Sequence, residues 1–197
     1  MLKTTVKLSH VTNLSDARYA SAMGIEMIGF CLDPNDEDYV TIETCQEIAS
    51  WISGVSFVAE LENLKGSYHD LPEMFSYVET SEPQLIQTQI PAIYFMDLYN
   101  IEIDEVFGIL DEEMNVEFAM MVIKAPFRKL KLLADRVYQM ARSHKLLIQT
   151  ECNPWVIDYV FENINPYGLQ ITGSKEERPG FKDYDELETI LDYLAAD

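Results

Sequence analysis

Short runs of β-branched and aromatic residues alternate along this chain with longer stretches whose apolar positions recur every three to four residues. A repeat of two reads as strand, and a repeat near 3.6 reads as helix. This pattern predicts strands over Thr4–Ser9, Met27–Leu32, Val55–Leu61, Gln84–Gln87, Ala92–Asp97, Glu117–Ile123, Lys145–Gln149 and Gly168–Thr172. Between and after them it predicts helices over Ser15–Met23, Ile42–Trp51, Pro72–Val78, Ile103–Met114, Phe127–Arg142, Pro154–Phe161 and Asp183–Leu194. Strands alternating with helices imply a parallel sheet with crossover connections. Eight strands in 197 residues sit at the short end of what a closed (β/α)8 barrel can use. The expected fold class is therefore a compact α/β TIM barrel, one domain over residues 1–197. The link Thr88–Pro91 leaves no room for a full helix, so the helix between strands four and five is expected to be missing.

The joins agree with this reading. Gly24 follows an amphipathic segment as a helix stop, and Asn153-Pro154 sets a capping side chain before a proline at the first helical position. Thr41 stands where a cap for the Ile42 helix belongs. The tetrapeptide Leu-Ile-Gln-Thr occurs at Leu85–Thr88 and at Leu147–Thr150, which we take as coincidence.

Composition narrows the partners. The chain carries 34 acids against 14 Lys and Arg, a net charge of −20, and is 48% hydrophobic. It can fill a core, while its field repels phosphate backbones and anionic lipid, so neither nucleic acid nor a membrane surface is an expected partner. The imbalance is local: between Tyr19 and Ile123 there are 21 acids and one base, Lys65. Seven bases from Lys124 to Lys145 gather on or beside one predicted helix, which reads as a solvated face beside acidic neighbours or as the basic half of a homodimer or protein-partner contact. Cys31, Cys45 and Cys152 are odd in number and widely spaced, as in a reduced cytoplasmic protein, and no leader or spanning segment is legible.

In a barrel, chemistry belongs at the C-terminal ends of the strands. There the sequence carries a recognisable pattern. Lys7-Leu8-Ser9-His10-Val11-Thr12-Asn13-Leu14-Ser15-Asp16-Ala17 aligns without a gap to an opening motif K-(I/V)-C-G-(I/L)-T-N-x-x-D-A, and Gly24, Gly29-Phe30, Pro34 and Tyr39-Val40 follow in order. Near the other end, Asn153-Pro154, Gln170 to Glu176 and Pro179-Gly180-Phe181-Lys182-Asp183 keep the spacing of a closing D-V-S-S-G-V-E and P-G-x-K-D. In these segments the chain resembles the phosphoribosylanthranilate isomerase family, barrel enzymes of tryptophan biosynthesis and of the ribulose-phosphate-binding type.

The resemblance implies an Amadori rearrangement that uses a cysteine base in the opening motif and an aspartic acid ending strand six, with no cofactor. Ser9 stands at the base position, and Met121 or Val122 falls at the acid position, so both are expected to be inactive there. The family's Gly-Gly after strand seven is Thr150-Glu151 here, and its G-G-T-G loop after strand six is absent. Only Thr172, Gly173 and Ser174, with Arg178 nearby, remain as a residual phosphate site. The family's arginine for the substrate carboxylate is Asp38, a reversal of sign. These departures predict a diverged barrel without the usual isomerase activity, retained to bind a ligand or a partner. Two alternatives stay open: an active isomerase working through substitute residues, or a different enzyme with an acidic, Gln-lined mouth.

That mouth is expected to gather His10, Asp38, Gln87, Gln149, Glu151 and Gln170, with Glu60 or Glu62 and Asp97 as further carboxylates, around a small polar ligand. No His, Cys, Asp or Glu spacing of a zinc or iron site is visible, and no metal is expected. His10 is expected to point away from Ser9, because neighbours on a strand face opposite sides.

Overall fold

A computed structural model describes residues 2–61, 71–82, 89–113, 118–172, 176–178, 181–182 and 185–195. The strands are β1 (Thr5–Ser9), β2 (Met27–Cys31), β3 (Ser56–Glu60), β4 (Phe75–Thr80), β5 (Ala92–Asp97), β6 (Met120–Lys124), β7 (Leu146–Gln149) and β8 (Gly168–Thr172). They pair in that order, all parallel, and β8 returns to β1 to close a barrel. The helices are α1 (Leu14–Ala22), α2 (Ile42–Ala49), α3 (Ile103–Glu113), α4 (Phe127–Ser143), α5 (Pro154–Asn163) and α6 (Asp185–Leu194). A short antiparallel pair, β9 (Glu176–Arg178) and β10 (Phe181–Lys182), lies between β8 and α6. The architecture is thus the expected (β/α)8 barrel.

Local chemistry explains where the helices begin. Asn13, Thr41 and Asn153 accept from the backbone N–H groups of Asp16, Thr44 and Val156, so each caps a helix that would otherwise start with unpaired donors. Gly24 takes φ +82° behind α1, a conformation that costs a residue with a Cβ. Outward-facing Leu8, Phe30, Ala59, Val78, Ile123 and Ile148 pack under the helices in one large core. Met27, Val58, Ile93, Phe95, Val122 and Leu147 form a second, smaller cluster on the alternate face of the strands, inside the barrel. No helix among the described residues is long and apolar enough to cross a membrane.

One element differs in kind from the sequence reading. The segment expected as a helix over Pro72–Val78 runs into β4, which begins at Phe75, and the expected strand Gln84–Gln87 lies outside the described residues. The cause is an irregularity in the ladder, where consecutive Phe57 and Val58 pair with Phe75 and Tyr77 and skip Ser76. The skipped residue shifts the side-chain phase, so Phe75 and Val78 both face the helix-covered core three positions apart. Three-residue spacing after a proline imitates a helix start. With β4 placed here, no α-helix lies among the described residues between β4 and β5, nor among those between β3 and β4.

The two ends of the barrel meet. β1 and β8 pair over five consecutive positions, from Thr5–Gly168 to Ser9–Thr172. The backbone N–H of Lys3 donates to the carbonyl of Leu194 at 2.8 Å, beside a bridge between Leu2 and Ala195.

Candidate functional site

Residues of one parity on each strand face the barrel axis. On β1 these are Thr5, Lys7 and Ser9, all polar, while Val6 and Leu8 pack outward. Lys7 is completely buried, which demands compensation for its charge. Its ammonium donates to Glu60 Oε1 at 2.6 Å, Glu79 Oε2 at 2.6 Å and Gln170 Oε1 at 2.9 Å, so three donors meet three acceptors from β3, β4 and β8. Ser9 Oγ donates to Glu60 Oε1 at 2.7 Å, and the backbone N–H of His10 donates to Glu60 Oε2 at 3.0 Å. Gly29 makes room for this carboxylate: a Cβ there would stand 1.9 Å from Glu60 Oε1.

The pair stays ionised. Burial works against the charge on Lys7, but Glu60 and Glu79 outweigh it and hold the ammonium above the ordinary lysine range. Burial likewise works against ionised Glu60, yet Lys7, the neighbouring His10 and the hydrogen bonds from Lys7 and Ser9 hold it below the ordinary carboxylate range. Because the folded value of Glu60 is depressed, its stabilisation is present above the ordinary carboxylate range and is lost as pH falls through the folded value.

From this cluster a chain of amides climbs to the rim. Gln170 Nε2 donates to Glu79 Oε1 at 3.2 Å and to Gln149 Oε1 at 3.1 Å, and Gln149 Nε2 donates to Thr172 Oγ1 at 2.8 Å. Gln149, Gln170 and Thr172 border a cavity of about 670 Å³ that also takes in Tyr99, Glu151 and Ile190. A second cavity of about 380 Å³ runs past His10, Asp36, Tyr94, Asp97 and Lys124. Lys124, the last residue of β6, pairs with Asp97 at 3.0 Å and stands between the two cavities.

Met121 is buried toward the helices and Val122 toward the barrel axis, so neither residue presents an ionisable group to the mouth. The β6 side chain that does reach it is Lys124. Asp38, in the β2–α2 loop, places its Oδ2 3.2 Å from His10 Nδ1. Glu151 turns to α4: its Oε2 accepts from the backbone N–H of Phe127 at 2.6 Å and from Thr150 Oγ1 at 2.7 Å. Partial burial works against its charge, but these hydrogen bonds and the nearby Arg128 hold its carboxyl below the ordinary range. Thr172 ends β8; Gln87, Gly173 and Ser174 lie outside the described residues, and Arg178 is placed only as part of β9.

His10 departs from the expectation that it turns away from Ser9. It lies just past β1 with φ +58°, where strand parity no longer holds, and its Nε2 is 3.9 Å from Glu60 Oε2. Ser9 and His10 therefore converge on one carboxylate. The residues that sequence reasoning missed are Lys7, Glu79 and Lys124. Lys7 had a signal: Thr5, Lys7 and Ser9 alternate with Val6 and Leu8, marking a polar inner face on a strand expected to be apolar on both.

Some of the basic residues near α4 have packing roles. Lys129 Nζ donates to the carbonyls of Leu98, Tyr99 and Ile101, tying α4 to the segment after β5, and Arg136 lies over the Phe107 ring of α3.

No protein-family model and no curated protein matches the sequence. Solved structures do match over nearly the whole chain. The phosphoribosyl anthranilate isomerase of Thermotoga maritima superposes with a TM-score of 0.69 at 17% identity, covering 97% of this chain and 98% of its own. That of Thermococcus kodakaraensis gives 0.70 at 12% identity, covering 98% and 100%. The enzyme of Thermus thermophilus gives 0.65 at 18% identity, covering 96% and 98%. At these identities the likeness establishes a shared fold.

Proposed function

We propose that this chain is a barrel of the phosphoribosylanthranilate isomerase lineage that no longer carries out the isomerisation and instead binds a small polar, neutral or cationic ligand at its mouth. The observation that carries this reading is the bonding of Ser9 to Glu60. A serine hydroxyl needs a strong base partner to act as one itself, and Glu60 is a weak base because Lys7 holds it ionised. Glu60 is also unsuited to replace the cysteine directly. It is about 1% exposed, with Oε1 engaged by Lys7 and Ser9 and Oε2 by the His10 N–H.

Two further features support the reading. The backbone N–H of Phe127 at the start of α4 already meets an anion, the chain's own Glu151. At the position of the family's carboxylate-binding arginine, Asp38 faces His10. What remains is a cavity whose rim is rich in amides and hydroxyls, and about 670 Å³ is enough for a small organic ligand.

The decisive experiment is an assay with freshly generated phosphoribosylanthranilate, together with complementation of a tryptophan auxotroph lacking the isomerase. No turnover and no growth are expected. Turnover that disappears in Ser9→Ala would overturn the reading. A companion measurement addresses the anion position. Glu151→Ala is expected to lose about 1 kcal/mol of stability as the α4 N-terminus loses its partner. Phosphate should raise the melting temperature of this variant and leave the parent unchanged; equal phosphate effects on both would remove the argument from Glu151.

A further inference from the structure

We propose that His10, Cys31 and Asp36 bind a divalent transition-metal ion of the zinc class at the rim of the barrel. A ring nitrogen of His10, the Cys31 sulfur and an Asp36 carboxylate oxygen all lie within 4.8 Å of one another. Ligands around a tetrahedral zinc stand about 3.3–3.8 Å apart, given metal–ligand bonds of about 2.0–2.3 Å. The His10 Nδ1 to Asp36 Oδ1 distance is 3.9 Å, so one edge of such a polyhedron is nearly set before any ion arrives. Asp38 Oδ2, 3.2 Å from the same nitrogen, is a fourth donor within reach.

Backbone bonds fix the frame that carries these donors. Val11 N–H donates to the Gly29 carbonyl at 2.9 Å, which holds the turn after β1 against β2. Val40 N–H donates to the Cys31 carbonyl at 2.9 Å, returning the β2–α2 loop to the end of its own strand. Inside that loop Asp33 Oδ1 accepts from the Asn35 N–H at 2.9 Å, and Asp36 Oδ1 accepts from the Asp38 N–H at 2.9 Å. The left-handed backbone of His10 turns its ring toward the loop, leaving Nε2 3.9 Å from Glu60 Oε2.

The donor set selects the ion. One thiolate, one imidazole and carboxylates suit zinc, cobalt or ferrous iron, and a sulfur ligand disfavours magnesium and calcium. Ligation takes the proton from the Cys31 thiol and releases it to solvent. The surrounding carboxylates favour a dication. His10 and Asp36 also border the 380 Å³ cavity, so a ligand there would approach the ion from the open side. Nothing in the sequence shows this site, since the three residues are separated in the chain and meet only when β1 lies beside β2. The inference stands apart from the isomerase question and does not require an organic ligand.

The test is a cobalt(II) titration of the full chain in a Cys152→Ser background, which removes the exposed thiol, followed by zinc competition. Burial pushes the Cys45 thiol up to about 12, so it should not compete. The expected result is one cobalt per chain, with a sulfur-to-cobalt charge-transfer band that vanishes in Cys31→Ser and is displaced by zinc. His10→Ala and Asp36→Asn, both at partly exposed positions, should weaken binding by about a hundredfold or more. Absence of stoichiometric binding, a band that survives Cys31→Ser, or an affinity indifferent to His10→Ala and Asp36→Asn would overturn the assignment.

Discussion

Lys7→Met is expected to lower stability by about 3–5 kcal/mol, because it removes the cation and leaves Glu60 and Glu79 buried in the barrel without it. For a chain of this length that corresponds to a fall in melting temperature on the order of 10 °C. The pH dependence separates this cause from simple loss of packing. In the parent protein, acid removes the stabilisation of Glu60, whose folded pKa is depressed, so stability falls as pH drops through the folded value. In Lys7→Met the same carboxyl loses its cation, burial dominates, and its folded pKa moves above the ordinary range. Protonation then relieves the penalty, and lowering pH from about 7 to about 5 should raise the melting temperature of the variant. Thermal unfolding of both proteins across that interval checks the sign. Parallel curves would mean that the cluster is not held by charge.

Gly29→Ala should cost about 3 kcal/mol, although the change adds only one methyl group. Gly29 does not have a positive φ, so alanine meets no backbone penalty of that kind. The obstacle is the Glu60 carboxylate: its Oε1, Cδ and Oε2 would lie 1.9, 2.4 and 2.9 Å from the new Cβ. A flexible side chain would swing aside, but this one is bonded to Lys7, Ser9 and the His10 N–H. Shortening it with Glu60→Asp should recover part of the loss, giving a double variant more stable than the sum of the two single effects predicts. Strict additivity in chemical denaturation would show that Gly29 and Glu60 do not share this space.

The barrel was legible because each strand–helix unit carries its own signal. Ser9 closes β1 as the opening motif implied, and Asn13, Thr41, Asn153 and Gly24 mark helix ends through local bonds that a sequence can display. β4 was not legible, since the irregularity at Ser76 changes which residues face the core and only the partner strand reveals it. The candidate site divides in the same way. Gln149 and Glu151 could be placed at or just past a strand end from local pattern, as could Ser9, whereas Gln170 lies in the middle of β8. The partners of Lys7 lie 53, 72 and 163 residues away, and nothing near Lys7 identifies them. The environment of His10 was misjudged because strand parity was extended one residue beyond the strand.

The seam between β1 and β8 bears on how the chain reaches its native form. Contacts that span most of a sequence require closing a long loop and make folding slow. Lys7 depends on such a contact, because Gln170 becomes available only when the last strand docks. Until then one N–H of the ammonium must be satisfied by water, and an open or misordered sheet that buried Lys7 early would leave that donor without an acceptor. The cluster thus discriminates between complete and incomplete barrels: it penalises premature collapse of the first strands and rewards only the arrangement in which all of its partners are present.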